Sequence, residues 1–303
     1  MTDEAGPGEQ AARPATQRPA AGHGPRGGEG TLAAAGPIVQ EADRLLTESA
    51  GRGLILKLAG SVGVLRHCPM CHRGAAALGR EPPADLDFFA YSKQQRDLSR
   101  MFADLGYQAD PSVAFSQEYG IDRQIYLGRE AAAKVDVFLD ALRMAHTIEF
   151  KGRLNGPRPT AQPADLLLAK LQIHEITEKD VKDIAALLAA HPVGDAATAT
   201  GPAAGEQFDV ERVVGLMGRD WGLCHTALAN LATAELLLAG WTAAGDTAAA
   251  AAAQVAELRQ RIELAPKSLR WKARASVGER VRWYEDVGDA EQQGQGDAGL
   301  RER

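Results

Sequence analysis

Three aspartates on two short hydrophobic segments have the types and spacing best suited to chemistry in this chain. Asp85 and Asp87 belong to the segment 85–89, and Asp136 belongs to the segment 134–139. Side chains alternate between the faces of a strand, so Asp85 and Asp87 point the same way, and Asp136 joins them if the two strands are neighbours. Converging carboxylates repel one another unless a divalent cation neutralises them. The pattern therefore predicts that all three bind magnesium and act in catalysis; the alternative is solvent-facing residues of an edge strand or turn.

A Gly-Ser dipeptide precedes the aspartates. Gly60 and Ser61 follow a predicted strand at 54–59. Glycine lets the backbone approach a phosphate closely, and the N–H groups at the start of a helix attract anions. We therefore expect Gly60 and Ser61 to bind the phosphates of a nucleotide, against the alternative of an ordinary strand-to-helix turn.

Two basic residues are further candidates for nucleotide binding. Lys170 lies in a strongly apolar predicted helix at 164–174, where a lysine either extends its amine to solvent or reaches a charged partner. Arg123 precedes a predicted strand. It either contacts a phosphate or forms a surface ion pair with Asp122 or Glu118, and the ion pair is the slightly favoured interpretation.

Two further segments allow more than one interpretation. Cys68 and Cys71 supply half of a tetrahedral zinc site, which Cys224 and His225 would complete only if the chain folds back; the alternative is a loop with incidental thiols. The stretch 267–284 interleaves basic and aromatic residues. This composition is typical of a surface that binds nucleic acid, and also of a solvated helix whose tryptophans pack on the core.

Composition restricts the classes of protein that fit the chain. The 303 residues are 45% hydrophobic and 24% charged, which is enough for one large domain or two modest ones. The net charge of −6 argues against a generally basic coat for nucleic acid, although it allows a local basic patch. The sequence suggests neither a membrane span nor a signal peptide, and its three cysteines do not suggest a disulfide framework. We therefore expect a cytoplasmic protein with no membrane partner.

The order of predicted elements indicates an α+β fold followed by an all-helical C-terminal domain. Strands are expected at 54–59, 85–89, 124–127 and 134–139, and helices at 37–49, 92–105, 164–174, 177–190, 209–219, 223–241 and 244–263. Thr177 and Asp180 form a capping box, which we favour over a catalytic role for Asp180. The expected division is a disordered tail (1–36), a first domain (37–192), a linker (193–207), a helical domain (208–287) and a second disordered tail (288–303).

Five short motifs together resemble a known fold family. They are Leu-Ala-Gly-Ser at 58–61, Ala-Asp-Leu-Asp-Phe at 84–88, Val-Asp-Val-Phe at 135–138, the apolar segment with its lysine at 165–172, and Lys-Asp-Val-Lys-Asp-Ile at 179–184. At these positions the chain resembles nucleotidyltransferase-fold proteins, most closely the uncharacterised nucleotidyltransferase-like proteins of actinobacterial type. It is more distantly similar to the nucleotidyltransferase toxins of abortive-infection toxin–antitoxin systems.

The resemblance implies a mixed-sheet palm with flanking helices, a Mg²⁺ cofactor, a nucleoside triphosphate such as ATP as substrate, and transfer of a nucleoside monophosphate to an acceptor. It also implies an RNA acceptor and an antitoxin-like protein partner, as in the toxins. The chain departs from the family in placing 23 residues between Ser61 and Asp85, a longer interval than is usual, so the inserted loop could cover or displace the site. The alternatives are a catalytically silent module that binds nucleotide or RNA, and a small-molecule nucleotidyltransferase.

Overall fold

The computed structural model describes residues 29–67, 69–111, 123–128, 134–193 and 208–286. A mixed five-stranded sheet lies at its centre, with strands β1 (Leu56–Ala59), β2 (Leu86–Ala90), β3 (Gln108–Ala109), β4 (Arg123–Leu127) and β5 (Val135–Leu139). The strand order is β1-β2-β5-β4-β3, in which β2 and β5 are parallel and the other neighbours are antiparallel. A separate antiparallel hairpin consists of β6 (Ala141–Arg143) and β7 (Thr147–Glu149).

Ten described α-helices surround the two sheets. They are α1 (Glu29–Gly51), α2 (Gly60–His67), α3 (Pro69–Ala77), α4 (Gln95–Asp104), α5 (Pro163–Leu171), α6 (Glu178–Ala190), α7 (Val210–Met217), α8 (Trp221–Gly240), α9 (Gly245–Leu264) and α10 (Leu269–Val277). The fold is therefore α+β, with helices in the C-terminal part, as the sequence predicts. The four predicted strands form β1, β2, β4 and β5 of the central sheet.

The two faces of the central sheet belong to different hydrophobic clusters. Leu58, Phe88 and Val137 pack with helices α1 and α4. Phe89 and Phe138, one residue further along their strands, pack with the helices on the opposite face, α2, α5 and α6 among them. Residues two positions apart share a face, so Asp87 and Asp136 lie on the side of α2, α5 and α6.

Some elements differ from the expectation. Helix α1 begins at Glu29, ahead of the predicted start at residue 37, because the alanine-rich residues 32–35 continue the helix. The segment 69–77, expected as a loop, is helix α3. Strand β3 and the hairpin β6–β7 were not predicted, since strands of two or three residues are too short to show an alternating pattern.

The C-terminal helices continue the core of the first part of the chain. One cluster of buried side chains includes Phe89 from the sheet, Ile184 from α6, Leu231 from α8 and Val255 from α9. Of the predicted linker, only Val193 belongs to the described residues, and both predicted tails lie outside them except for residues 29–36. The division into two domains therefore stays a prediction.

One described helix, α8, is long and apolar enough to cross a membrane by length and composition alone. Half of its apolar window is buried inside the fold, as in the core helix of a globular domain, so the helix is weak evidence for a membrane span. The cytoplasmic location stays a prediction.

Candidate active site

Strand register brings the predicted aspartates together. Asp87 pairs with Asp136 across the parallel strands β2 and β5, and Ala59 pairs with Asp87 across β1 and β2. Neighbouring strands lie about 4.8 Å apart, so the carboxylates of Asp87 and Asp136 project side by side from the same face. Asp136 is 4% exposed and Asp87 is partly buried. Asp85 is exposed immediately before β2 begins.

Gly60 touches Asp87 so closely that no other residue fits in its place. Its φ is +58°, in the left-handed region that glycine adopts without strain. A Cβ at Gly60 would lie 1.9 Å from Asp87 Oδ2. Helix α2 begins at this glycine, so the free N–H groups of its first turn lie beside the carboxylate of Asp87. The Gly-Ser dipeptide therefore has a specific structural role at the aspartates.

The pKa of Asp87 is shifted by burial and by the charged residues around it. Burial raises this pKa, and the neighbouring Asp136 and Asp85 raise it further, to about 6. Lys170 and Arg123 act in the opposite direction. The structure thus brings the three predicted carboxylates and the two predicted cations into one electrostatic environment.

Arg123 contacts an aspartate of the site. Its Nη2 lies 3.0 Å from Asp136 Oδ1, and Lys134 Nζ lies 3.3 Å from Asp136 Oδ2. The sequence favoured an ion pair of Arg123 with Asp122 or Glu118, both of which lie outside the described residues. The partner that the structure shows is Asp136, so Arg123 neutralises part of the carboxylate cluster.

Behind the aspartates, Ser61 is the centre of a buried network of charges. Its hydroxyl donates to Asp183 Oδ2 at 2.7 Å, and it accepts from Arg80 Nη2 at 2.8 Å and from Lys170 Nζ at 3.2 Å. A hydroxyl has one proton and two lone pairs, so the side chain of Ser61 is fully hydrogen-bonded within the protein. The side chain of Ser61 therefore has no hydrogen-bonding capacity left for a phosphate.

Lys170 reaches charged partners, which was one of the two alternatives for this residue. Its ammonium lies 2.9 Å from Asp180 Oδ1 and 2.9 Å from Asp183 Oδ2, in addition to its contact with Ser61. Burial alone would lower the pKa of Lys170, but Asp183 and Asp180 outweigh burial and raise it. Lys170 is therefore a permanent cation whose three N–H bonds all have partners.

Asp180 has the capping role that the sequence predicts. Thr177 Oγ1 accepts the N–H of Asp180, and the Asp180 side chain accepts the N–H of Thr177, which completes the capping box of helix α6. The other oxygen of the same carboxylate binds Lys170. Burial would raise the pKa of Asp180, and Lys170 and Thr177 lower it. The cap thus fixes one of the two carboxylates that hold Lys170.

Asp85 and Asp87 are the predicted ligands of a hard divalent cation, whereas Asp136 is already paired with two cations. Burial first, and repulsion by Asp136 and Asp85 second, raise the pKa of Asp87, and a bound cation would offset both effects. Asp136 would first have to release Arg123 and Lys134. Among the residues that the structure describes, no three His, Cys, Asp or Glu side chains form a group that could hold a metal ion. The magnesium site therefore stays a prediction.

The cysteine segment places Cys71 beside two histidines, His191 and His67. Cys71 Sγ lies 3.6 Å from His191 Nε2, and the ring of His191 packs edge-on against His67 with centroids 4.9 Å apart. His225 instead pairs with Glu279 at 3.0 Å. Cys68 lies outside the described residues, so the structure does not test whether the two cysteines share a metal.

The basic C-terminal stretch uses several of its side chains internally. Arg274 lies over the ring of Trp221 at 4.6 Å and donates to the carbonyls of Gly278 and Val281. Trp271 packs against the core, as one of the two interpretations expects. Arg270 and Lys272 are exposed, and so remain candidates for contact with nucleic acid.

Arg80 and Asp183 belong to the candidate site although the sequence did not assign them to it. Arg80 is 5% exposed and Asp183 is fully buried. Asp180 and Asp183 stand three residues apart on helix α6, so the spacing places both carboxylates on one helix face and could have indicated Asp183. Sequence spacing gives no comparable signal for Arg80, because its position depends on how helix α3 packs.

Comparisons of the chain with known protein families, with curated proteins and with solved structures find no match. The likeness to nucleotidyltransferase-fold proteins therefore rests on the five motifs alone.

Proposed function

We propose that this protein is a magnesium-dependent nucleotidyltransferase with a mixed-sheet palm, which moves a nucleoside monophosphate from a nucleoside triphosphate to an acceptor. One observation carries the proposal. Asp87 pairs in register with Asp136 on the neighbouring strand, and Asp87 also lies against the left-handed Gly60 that begins helix α2. Carboxylates suit a hard cation and the N–H groups that begin a helix suit a phosphate, so the proximity of the two supports the proposal.

Each residue of the site has a distinct proposed role. Asp85 and Asp87 would hold magnesium, which when bound supplies electrophilic stabilisation of the α-phosphate oxygens. Asp136 would be a further ligand or accept the proton of the attacking hydroxyl. The N–H groups of Gly60 and Ser61 would orient the triphosphate. Lys170 and Arg123 would balance its negative charge, once Arg123 exchanges Asp136 for phosphate.

The acceptor that we propose is RNA, with a small-molecule hydroxyl as the alternative. The exposed Arg270 and Lys272 provide cations that suit an RNA backbone. An antitoxin-like protein partner belongs to the same proposal, through the likeness to the toxins. A small-molecule acceptor would need no basic surface. The RNA proposal would therefore be supported if Arg270→Ala/Lys272→Ala lost transfer to RNA but kept transfer to small molecules.

The test of the transfer reaction is the release of pyrophosphate from nucleoside triphosphate in the presence of magnesium and a mixture of acceptors. Asp85→Asn should abolish release while leaving the fold intact, because Asp85 is exposed and contributes nothing to the core. The exposed Asp97→Asn on helix α4 is the matched control. Undiminished release by Asp85→Asn would overturn the assignment of the aspartates.

A second candidate function is a catalytically silent module that binds nucleotide or RNA. Two observations favour it: Asp136 is paired with Arg123 and Lys134, and the polar groups of Ser61 and Lys170 are all satisfied inside the protein. This candidate predicts that a nucleoside triphosphate raises the melting temperature without any magnesium-dependent turnover. Pyrophosphate release that is lost in Asp85→Asn would exclude it.

A further inference from the structure

The long segment between Ser61 and Asp85 contains a buried arginine, Arg80, that contacts the candidate site. After helix α2, the interval forms helix α3, which lies against helix α6. The contact is close at Gly74, where a Cβ would lie 3.3 Å from Ala186 Cα. Because Ala186 lies one turn beyond Asp183 on helix α6, the same contact brings the end of helix α3 towards Asp183.

A glycine-terminated turn fixes the backbone at the end of helix α3. Gly79 has φ +64°, and its N–H donates to the carbonyl of Ala76. The N–H of Arg80 donates to the carbonyl of Ala75. This pair of bonds is a Schellman motif, in which the two residues after the helix turn back over its last carbonyls. Lys182 of helix α6 also donates to the carbonyl of Gly79 at 3.3 Å. The start of the Arg80 side chain is therefore rigidly held.

From this position, the Arg80 guanidinium joins two elements of the site. Nε donates to Asp183 Oδ1 at 2.8 Å, and Nη2 donates to Ser61 Oγ at 2.8 Å. Another N–H, on Nη1, donates to the carbonyl of Glu81. Arg80 is thus almost fully committed to the protein, so it acts through its neighbours rather than by touching a substrate.

The charges of the network balance only when Arg80 is included. Lys170 and Arg80 are the cations, and Asp180 and Asp183 are the anions. Without Arg80, one ammonium would face two carboxylates, and the network would carry a net negative charge beside the turn where we place the phosphates. Lys170 already influences the opposite side of this turn, since it lowers the pKa of Asp87.

We propose that Arg80 is a positioning residue for the triphosphate: it neutralises Asp183 and holds Ser61, so that the network beside the turn carries no net negative charge to repel the β- and γ-phosphates. This inference rests on the proposed function and assigns a role to the inserted segment, which carries part of the site. A like charge in a poorly solvated position repels a polyphosphate strongly, whereas a monophosphate, with fewer charges, is repelled less.

The test measures binding rather than transfer. Isothermal titration in magnesium compares non-hydrolysable analogues of the four nucleoside triphosphates with the corresponding monophosphates. Arg80→Met should raise the Kd of the preferred triphosphate at least tenfold and that of its monophosphate less than threefold. Arg73→Met is the matched control, because it removes an exposed arginine from helix α3, seven residues before Arg80. It should leave both Kd values unchanged.

A second pair of variants covers the case in which Arg80→Met does not fold. Asp183→Asn should bind the triphosphate more tightly than the wild type, and Arg80→Met/Asp183→Asn, which restores the balance of charges, should bind within threefold of the wild type. Equal weakening of triphosphate and monophosphate binding in Arg80→Met, or an unchanged triphosphate Kd in that variant, would overturn the role of Arg80. Where Arg80→Met does not fold, a triphosphate Kd of Asp183→Asn no lower than that of the wild type would overturn it.

Failure of the proposed function gives a different result. If the wild type binds triphosphate and transfers nothing, the transferase proposal falls, and the binding series still measures the role of Arg80. If the wild type transfers nucleotide and Arg80→Met binds triphosphate normally, the transferase stands and the role of Arg80 falls.

Discussion

Gly60 is the residue at which backbone conformation and the candidate chemistry are most directly linked. Its left-handed φ and its contact with Asp87 are separate constraints, and each excludes a side chain. We expect Gly60→Ala to lower the free energy of unfolding by about 1–2 kcal/mol for the left-handed conformation alone. It should also abolish transfer, because the new methyl group displaces the carboxylate of Asp87. Urea denaturation and the pyrophosphate assay measure the two effects.

Gly53 offers a matched control for the backbone effect. Its φ is +69°, close to that of Gly60, but a Cβ there would meet nothing within 4 Å. Gly53→Ala should therefore have a similar backbone penalty and retain full activity. Equal activity of the two alanine variants would contradict the role of Gly60 beside Asp87.

The titration of Asp87 predicts how stability depends on pH when no metal is bound. The folded protein holds the Asp87 proton more tightly than the unfolded chain, because the pKa rises from 3.8 to about 6. The contribution of Asp87 to the unfolding free energy is therefore fully present below pH 4 and is lost as the pH rises through about 6. In buffer with chelator at pH 7.5, Asp87→Asn should exceed the wild type in unfolding free energy by an amount on the order of 3 kcal/mol.

The measurement is urea denaturation of both proteins from pH 4 to pH 8. The difference in unfolding free energy between the two proteins should increase mainly between pH 4 and pH 6. Magnesium should reduce this difference, because it stabilises the wild type. A wild type that stays as stable as Asp87→Asn across this range would show that Asp87 is not buried among like charges. Asp97→Asn, at an exposed carboxylate on helix α4, is the control.

At the scale of the elements, helix α3 connects the segment between Ser61 and Asp85 to the packing of helix α6. Gly74 lets helices α3 and α6 approach closely. Gly74→Val would force them apart, and overpacking of this kind lowers the unfolding free energy by about 1–3 kcal/mol. We expect Arg80 to lose its register with Asp183 as well, so triphosphate binding should weaken together with stability. Gly51→Ala, at a glycine whose Cβ would meet nothing within 4 Å, is the control. Normal stability of Gly74→Val would contradict this account of the packing.

The sequence predicted the central elements of the fold because their signals are local. Asp87 and Asp136 lie in short apolar runs that predict strands, and the capping box of Thr177 predicts the start of helix α6. Helix α3 was not predicted because its amphipathic pattern is weak and glycine has a low helix propensity. In the structure, Gly74 lets helix α3 pack closely against helix α6. Pairing of strands in register is not a local property. The sequence therefore showed that the aspartates converge if their two strands are neighbours, but could not predict that the strands are neighbours.

The candidate site was predictable to the extent that each residue acts through its own segment. Asp87 and Gly60 follow from residue type and position. The contacts of Arg123 with Asp136 and of Arg80 with Ser61 join residues far apart in the chain or in separate elements. Long side chains can reach many partners, so their choice depends on the tertiary structure and could not be predicted from the sequence.

At the scale of the whole molecule, one hydrophobic cluster extends from the central sheet to helix α9. Because this core is shared, we expect the described part of the chain to unfold in one cooperative transition, with equal calorimetric and van't Hoff enthalpies. Differential scanning calorimetry makes the measurement. Two resolved transitions would contradict the shared core and support the predicted boundary between residues 192 and 208.

The most direct test of the central claim is the transfer of label from each α-³²P nucleoside triphosphate to total RNA and, in parallel, to a small-molecule extract, with magnesium present. The wild type is compared with Asp85→Asn/Asp87→Asn, which removes two of the three proposed metal ligands. We predict a labelled product with the wild type and none with the double variant, and the labelled fraction identifies the acceptor class. A wild type that labels neither fraction, or a double variant that labels as well as the wild type, would contradict the proposed nucleotidyltransferase.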